Sequence, residues 1–389
     1  MERIAGGTST GSKRPAALFG DAPGAWSLRM VSSHGCRFQG DDGREYLDCV
    51  MALGAVALGY GHPEVRDAVM EAVERGGIGP VPPVEEEALA EELQRLMPHL
   101  ERVRFLKTGA EAVAAAIRLA RISTGRDRVL GAGYFGWLDW CTHGAGVPET
   151  VQRLFATIPF NDAEGTRAAI RAAGDELACV VVEPVIEEEP RPEWLRVLRE
   201  ETRRVGALLV FDEIKTALRV SPGGAVLRWG GEPDLIVLGK AIANGFPLSA
   251  VGGVEAVMRG VEQTWISSTT ATEFVSLAAA RATLRVAAAA GLHDHLRRVG
   301  TRLYAGLSRA CEEYPAVITG VGGIPEMCYL RFATEEQSSR VAIACARRGL
   351  LFKRSAYNFV SLAHGDAEVD SALDILWAAL SEVRAHAAG

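Results

Sequence analysis

The sequence predicts an α/β protein: a large domain built on a mostly parallel sheet, followed by a smaller α+β domain. Three observations carry this. Short apolar, β-rich runs alternate with helically spaced segments through the middle of the chain, as expected for buried strands covered on both faces. Beyond an Ala-rich stretch near 273–290 the pattern changes to short strands broken by two helices. Finally, 389 residues that are 48% hydrophobic and 23% charged make an ordinary globular chain long enough for two domains.

The elements follow in order. The opening "MERIAGGTSTGSKRP" lacks the apolar centre of a secretory signal and reads as a loose tail. Residues 35–50 suggest a hairpin turning at Asp42 and Gly43. Strands are expected at 103–106, 128–132, 178–183, 207–212 and 235–238, then 248–252, with helices over 111–121 and 193–205 between them. A connecting helix, "EFVSLAAARATLRVAAAA", starts at Glu273, and a second runs from 292 to 314. Past Pro315, strands are expected at 317–319, 327–332, 350–353 and 359–363. This gives an N-terminal segment (1–49) packing with the small domain, a large domain (50–285) and a small C-terminal domain (286–389).

Composition excludes several classes. A formal charge of -7 leaves no general electrostatic footprint for nucleic acid or an anionic membrane. No stretch approaches the roughly 18 apolar residues of a membrane span. Seven scattered cysteines without a C-x-x-C suit reduced, buried thiols in the cytoplasm. "GAGYFG" (131–136) matches the dinucleotide fingerprint, but aromatics and glycines follow it where a helix should open. "GTSTG" (7–11) matches a nucleophile elbow with no strand before it. His293 and His295 have no third ligand in local reach, so no metal is expected.

Three features point to chemistry. In "FLKTGAEAVAAAIRLAR" a strand ends at Leu106 and a helix begins near Gly109. Thr108 and Glu111 have capping-box spacing, and Gly109 and Ala110 leave N–H groups open to an anion, most naturally a phosphate. The same residues also suit an ordinary capped helix. In "ALLVFDEIKTALR" an apolar run ends at Asp212, where open α/β sheets bind ligands, or where an aspartate simply caps a turn. In "PDLIVLGKAIANGFPLSAVGG" Lys240 follows a buried strand. Burial there would lower its pKa towards the nucleophilic range, whereas a lysine on an open turn would keep its usual value.

In this order the three resemble the pyridoxal-phosphate enzymes of fold type I. Within these the chain resembles the class III aminotransferases, and most closely the glutamate-1-semialdehyde aminomutase-like group. The resemblance runs from "GREYLD" and "LGYGHPEV" to "NFVSLAHGD". It implies that Lys240 holds the cofactor as a Schiff base and then shuttles a proton. Asp212 would pair with the pyridine nitrogen, Tyr134 would stack on one ring face and Ile214 would press on the other. Thr108, Gly109 and Ala110 would hold the phosphate. Glu183 would lie near the ring edge, as support or as a direct contact. Thr269 would reach the phosphate of the partner subunit, making a homodimer with shared active sites. The implied activity is transfer of an amino group between small-molecule amine and oxo or aldehyde substrates, in natural-product or unusual-sugar biosynthesis. An intramolecular aminomutase or racemase, or a catalytically silent cofactor-binding protein, are the alternatives.

Some positions depart from the family pattern. Phe135 stands where histidine is usual, which predicts more apolar ring surroundings. Thr216 and Ala217 replace Thr-Gly, and "ATEF" (271–274), with Glu273, replaces S-G-N-P. Asn358 stands where the 2-oxoglutarate-using branch has an arginine, so Glu188 is expected to face solvent. The segment 18–24 offers no arginine for the substrate carboxylate of the semialdehyde aminomutases.

Overall fold

The computed structural model describes residues 3–20 and 28–387, so 21–24 of the arginine-free segment lie outside the described residues. The chain divides into two compact units. One is continuous, Pro63–His293; the other combines the two chain ends, Met1–His62 with Asp294–Gly389.

The first strands are β1 (Met30–His34), β2 (Arg37–Gly40) and β3 (Glu45–Asp48), paired antiparallel in sequence. Gly43 takes φ +80° in the β2–β3 turn, a conformation that costs glycine little.

The continuous unit holds β4 (Arg102–Leu106), β5 (Arg128–Ala132), β6 (Phe155–Thr157) and β7 (Leu177–Val182). It also holds β8 (Leu208–Asp212), β9 (Leu235–Leu238) and β10 (Ser249–Gly253). They form one sheet in the order β4-β10-β9-β8-β7-β5-β6. All neighbours are parallel except β10, which runs antiparallel to both β9 and β4. Every residue of β7 and β9 is buried, because helices cover both faces. The helix Gly109–Thr124 buries Ala112, Val113, Ala116, Ile117 and Ala120 in the core that includes Val181, Val210 and Val237. Helix Pro192–Val205 starts on a proline, stops at Gly206 in the left-handed region, and buries Trp194, whose indole N–H donates to Thr166 Oγ1 at 2.9 Å.

Strand register fixes the location of the site. Ala132 pairs with Val182, Val182 with Phe211 and Asp212 with Val237. Ser249, at the start of β10, faces Leu106 at the end of β4. The carboxyl ends of β4, β5, β7, β8 and β9 therefore emerge along one edge of the sheet.

The remaining strands are β11 (Ile318–Ile324), β12 (Met327–Phe332), β13 (Leu350–Leu351) and β14 (Asn358–Phe359). β13 adds in parallel to β3, and β14 adds antiparallel to β12. The runs expected at 350–353 and 359–363 shorten because their later backbone groups bond elsewhere: Lys353 N–H donates to Asn358 Oδ1 and Leu362 N–H to the Ala57 carbonyl. Among the described residues no single helix is long and apolar enough to cross a membrane.

Candidate active site

The edge formed by the strand ends gathers most of the residues singled out in the sequence. After β4, Thr108 caps the helix Gly109–Thr124 in a full capping box with Glu111. Glu111 N–H is satisfied by Thr108 Oγ1, while Gly109 and Ala110, as the first two helical residues, have no intrahelical acceptor. Ser249 Oγ donates to the Thr108 carbonyl at 2.8 Å and fixes this turn to β10. A methyl group at Gly109 would lie 2.6 Å from Ile214 Cδ1, so only glycine lets Ile214 lean over the helix start.

After β5 the chain turns through Gly133 and Gly136. A side chain at Gly133, φ +135°, would strike Glu183 at 2.6 Å, and one at Gly136, φ +99°, would strike Ala110 at 2.7 Å. These glycines therefore hold Tyr134 between the helix start and Glu183. Tyr134 is 72% exposed, leaving it open to a ligand. No helix opens after 136, so the dinucleotide motif is accidental. Phe135 turns the other way, into the core against Trp140 (5.8 Å) and Phe155 (6.2 Å). Its apolar character serves packing, which corrects the expectation that it lines the ring site.

Asp212 ends β8 fully enclosed. Its Oδ1 accepts the Ile214 N–H at 3.0 Å. Burial, and then the charge of Glu183, push its carboxyl up to about 8. Its neighbour Glu213 points elsewhere and anchors the next helix by accepting the N–H groups of Ala225 (2.7 Å) and Val226 (2.8 Å), with Thr216 donating to the same carboxylate. Lys240 follows β9 with φ +49°, a left-handed conformation that costs a non-glycine residue on the order of 1 kcal/mol and is tolerated where the surroundings enforce it. Burial, and then the ammonium of Lys215, bring the Lys240 amine down to about 8.

Glu183 is 5% exposed, accepts the Tyr134 N–H at 3.2 Å, and pairs with Lys215 at 3.0 Å. Lys215 was not expected here; nothing in the sequence marks which way a residue three past a strand end will point. Of the residues expected to hold the cofactor, Thr269 stands outside this group. It is exposed, and among the described residues it makes no hydrogen bond to the Thr108 turn of its own chain. Glu273 caps helix Phe274–Ala289 through the N–H groups of Val275 and Ser276 and pairs with Lys107 at 2.6 Å, a job the sequence did not suggest. Glu188 is exposed as expected, with Arg191 and Asn161 as partners. Asn358 is buried and bridges both backbone groups of Lys353. His295 Nε2 lies 2.9 Å from the His364 carbonyl, and among the described residues no His, Cys, Asp and Glu side chains cluster as metal ligands would.

Residues 22–380 match the class-III aminotransferase family. The chain belongs to that family. It is 33% identical, over 90% of its length and 91% of the relative's, to a glutamate-1-semialdehyde 2,1-aminomutase of Methanothermobacter thermautotrophicus. Its fold is similar to that of the Sphingopyxis sp. MTA144 FumI protein in its PLP internal aldimine form (TM-score 0.92, 27% identity, 100% of this chain and 95% of that one). It is also similar to a β-phenylalanine aminotransferase from Variovorax paradoxus (TM-score 0.86, 29% identity, 99% and 92% covered). The fold is type I of the pyridoxal-phosphate enzymes, and the class-III aminotransferase is pyridoxal-phosphate dependent.

The residues present fit that cofactor. Two helix-start N–H groups suit a phosphate. The bare Cα of Gly109 leaves Ile214 as a flat apolar wall, and Tyr134 offers an open aromatic face. A buried carboxylate held off its ordinary pKa suits a cationic ring nitrogen, and an amine near neutrality suits a carbonyl carbon.

Proposed function

We propose that this aminotransferase moves an amino group between an amine donor and an oxo or aldehyde acceptor in specialised biosynthesis, working as a cytoplasmic homodimer. The observation that carries this reading is Lys240, strained and close to neutrality, beside a buried Asp212 at the ends of adjacent strands. Bound there, pyridoxal phosphate supplies an electron sink for the bond beside the substrate nitrogen.

The chain does the rest. Lys240 Nζ would hold the cofactor and, when free, would take and return the proton at the substrate carbon. Its lowered pKa suits this work, since a base acts best near the operating pH. Asp212 keeps the ring nitrogen protonated, and that cation in turn favours the ionised carboxylate. Gly109 and Ala110 donate N–H groups to the phosphate beside Thr108. Tyr134 and Ile214 would confine the ring, and Glu183 steadies the Tyr134 backbone.

Exposed apolar side chains on the continuous unit support a homodimer: Met70, Val73, Ile78, Val81, Val84 and Trp265 would otherwise face water. Thr269 of each subunit would serve the phosphate of the other. Seven free thiols, five of them buried, support a cytoplasmic setting. Specialised chemistry is supported by Glu273 and Asn358, which both have structural partners where other branches of the family keep different residues.

A spectral screen of amines against the yellow holoenzyme, followed by product analysis with oxo acceptors, tests the reading. Transfer to a second molecule is the expected result. Rearrangement within one molecule would favour an aminomutase, the activity named for the relative from Methanothermobacter. Absence of any spectral response to every amine would contradict both.

A further inference from the structure

Four ionisable residues stand at the carboxyl ends of β7, β8 and β9. Asp212 ends β8, Glu183 follows β7, Lys215 comes from the turn after β8, and Lys240 follows β9. The side chains of Lys215 and Glu183 are both largely buried, and Lys215 Nζ lies 3.0 Å from one Glu183 oxygen and 3.1 Å from the other. Such a pair is costly to bury and strongly destabilising to break from one side, so its presence beside a reactive amine calls for a reason. Glu183 is held from two more directions, by the Tyr134 N–H and by the missing side chain of Gly133.

We propose that the buried Lys215–Glu183 ion pair is a positioning element of the Lys240 site, in which Lys215 crowds Lys240 with like charge while its bond pins Glu183 under Tyr134. This rests on Lys240 being the attachment lysine. The arrangement answers a problem of sign. Glu183 alone would face Lys240 with an unbalanced negative charge and favour its ammonium form, which is no nucleophile. Lys215 neutralises Glu183 and adds its own field, and the fully buried Arg219, in the same turn, acts in the same direction. The strand register brings the two lysines to neighbouring turns: Asp212 pairs with Val237, and Lys215 and Lys240 each stand three residues beyond that pair.

The pair predicts opposite effects from its two halves. Replacing Lys215 by methionine removes a like charge and frees Glu183 to attract Lys240, so the Lys240 amine becomes more basic. Replacing Glu183 by glutamine does the reverse. The double substitution removes both charges, leaves no buried unpaired ion, and should fall between the two.

The test uses the full-length chain freed of cofactor, labelled with trace acetic anhydride across a pH series. Peptide mass spectrometry then reads Lys240 and Lys215 separately. Lys215→Met should raise the Lys240 midpoint by about one pH unit, which is roughly a tenfold loss of free amine at neutral pH. Glu183→Gln should lower it, and Lys215→Arg, which keeps the charge, should restore it. Should Lys215→Met fail to fold, Glu183→Gln, in which the Lys240 midpoint must fall, decides the matter. A Lys240 midpoint that stays in place in every variant, with only melting temperatures changed, would reduce the pair to a structural support and overturn the proposal. Mapping of borohydride-fixed cofactor in the same wild-type preparation separates the two levels of failure. Cofactor on Lys215 would end the attachment assignment itself, whereas cofactor on Lys240 with an unmoved midpoint would end only this inference.

Discussion

The middles of β7, β8 and β9 and their carboxyl ends are a few residues apart, yet they obey different rules. In the middles, Val180, Val181, Leu209, Val210, Ile236 and Val237 are 0% exposed, and local preference, packing and burial all agree. At the ends come the buried Glu183 and Asp212 and the half-buried Lys240, one with a left-handed backbone and two with displaced pKa values. Fold stability is concentrated in the first region, and the second spends some of it on reactivity. Asp212 and Glu213 show the contrast within one peptide unit. Glu213 is saturated with donors that hold the next helix, while Asp212 keeps capacity for a cation.

Substitutions can sharpen or break this division. The largest effect belongs to Lys240→Ala, which should cut transamination on the order of a thousandfold or more while leaving the melting temperature of the cofactor-free chain close to that of the parent. A large fall in that melting temperature would show that the strand ends support the fold after all. Leu209→Ala is the converse. It removes a fully buried side chain three residues before Asp212 and should cost about 2–5 kcal/mol of stability, with the Lys240 titration unmoved.

Asp212→Asn should slow the half-reaction by about a hundredfold, by analogy with other fixed electrostatic groups. Its effect on stability should be opposite. The Asp212 carboxyl is raised in the folded chain from 3.8 to about 8, so its ionised form is disfavoured there. The penalty is absent below the unfolded value and complete above the folded one. Without cofactor, the Asn variant should therefore melt higher than the parent at pH 9, and the gap should close towards pH 4. Equal melting curves at both pH values would contradict the burial argument. Tyr134→Ala should weaken cofactor retention by about two- to tenfold, since aromatic contact is worth about 0.5–1.5 kcal/mol beyond area. Because Tyr134 is 72% exposed, thermal stability without cofactor should barely change. The smallest effect is expected from Thr269→Val: in sedimentation equilibrium, cofactor should promote self-association of the wild type more than of the variant. A wild-type chain that stays monomeric with its cofactor bound would remove Thr269 from the site.

The same division explains what was legible in the sequence. β5, β9 and β12 have the expected bounds, and β4, β7, β8 and β10 shift by a residue, because buried apolar runs carry their own signal. Asp212 and Lys240 were legible as charges placed at the ends of such runs. β6 has only three residues, too few to register a pattern. Helix Pro63–Glu74 buries just Val65 and Ala72, so its apolar stripe is thin. Lys215 and Phe135 were missed in orientation, one turning inward and the other into the core. Both lie in turns, where direction comes from tertiary contacts such as Glu213 N–H to the Val237 carbonyl and no periodicity records it. Glu273 was read as a departure from family pattern, and its partner Lys107 lies 166 positions away.

The most direct test of the account is where the cofactor is fixed. Borohydride treatment of the purified holoenzyme, followed by peptide mapping, should place the reduced pyridoxyl adduct on Lys240. An adduct on Lys215, Lys107 or Lys353 instead would contradict the assignment of the strand-end lysine as the reactive group.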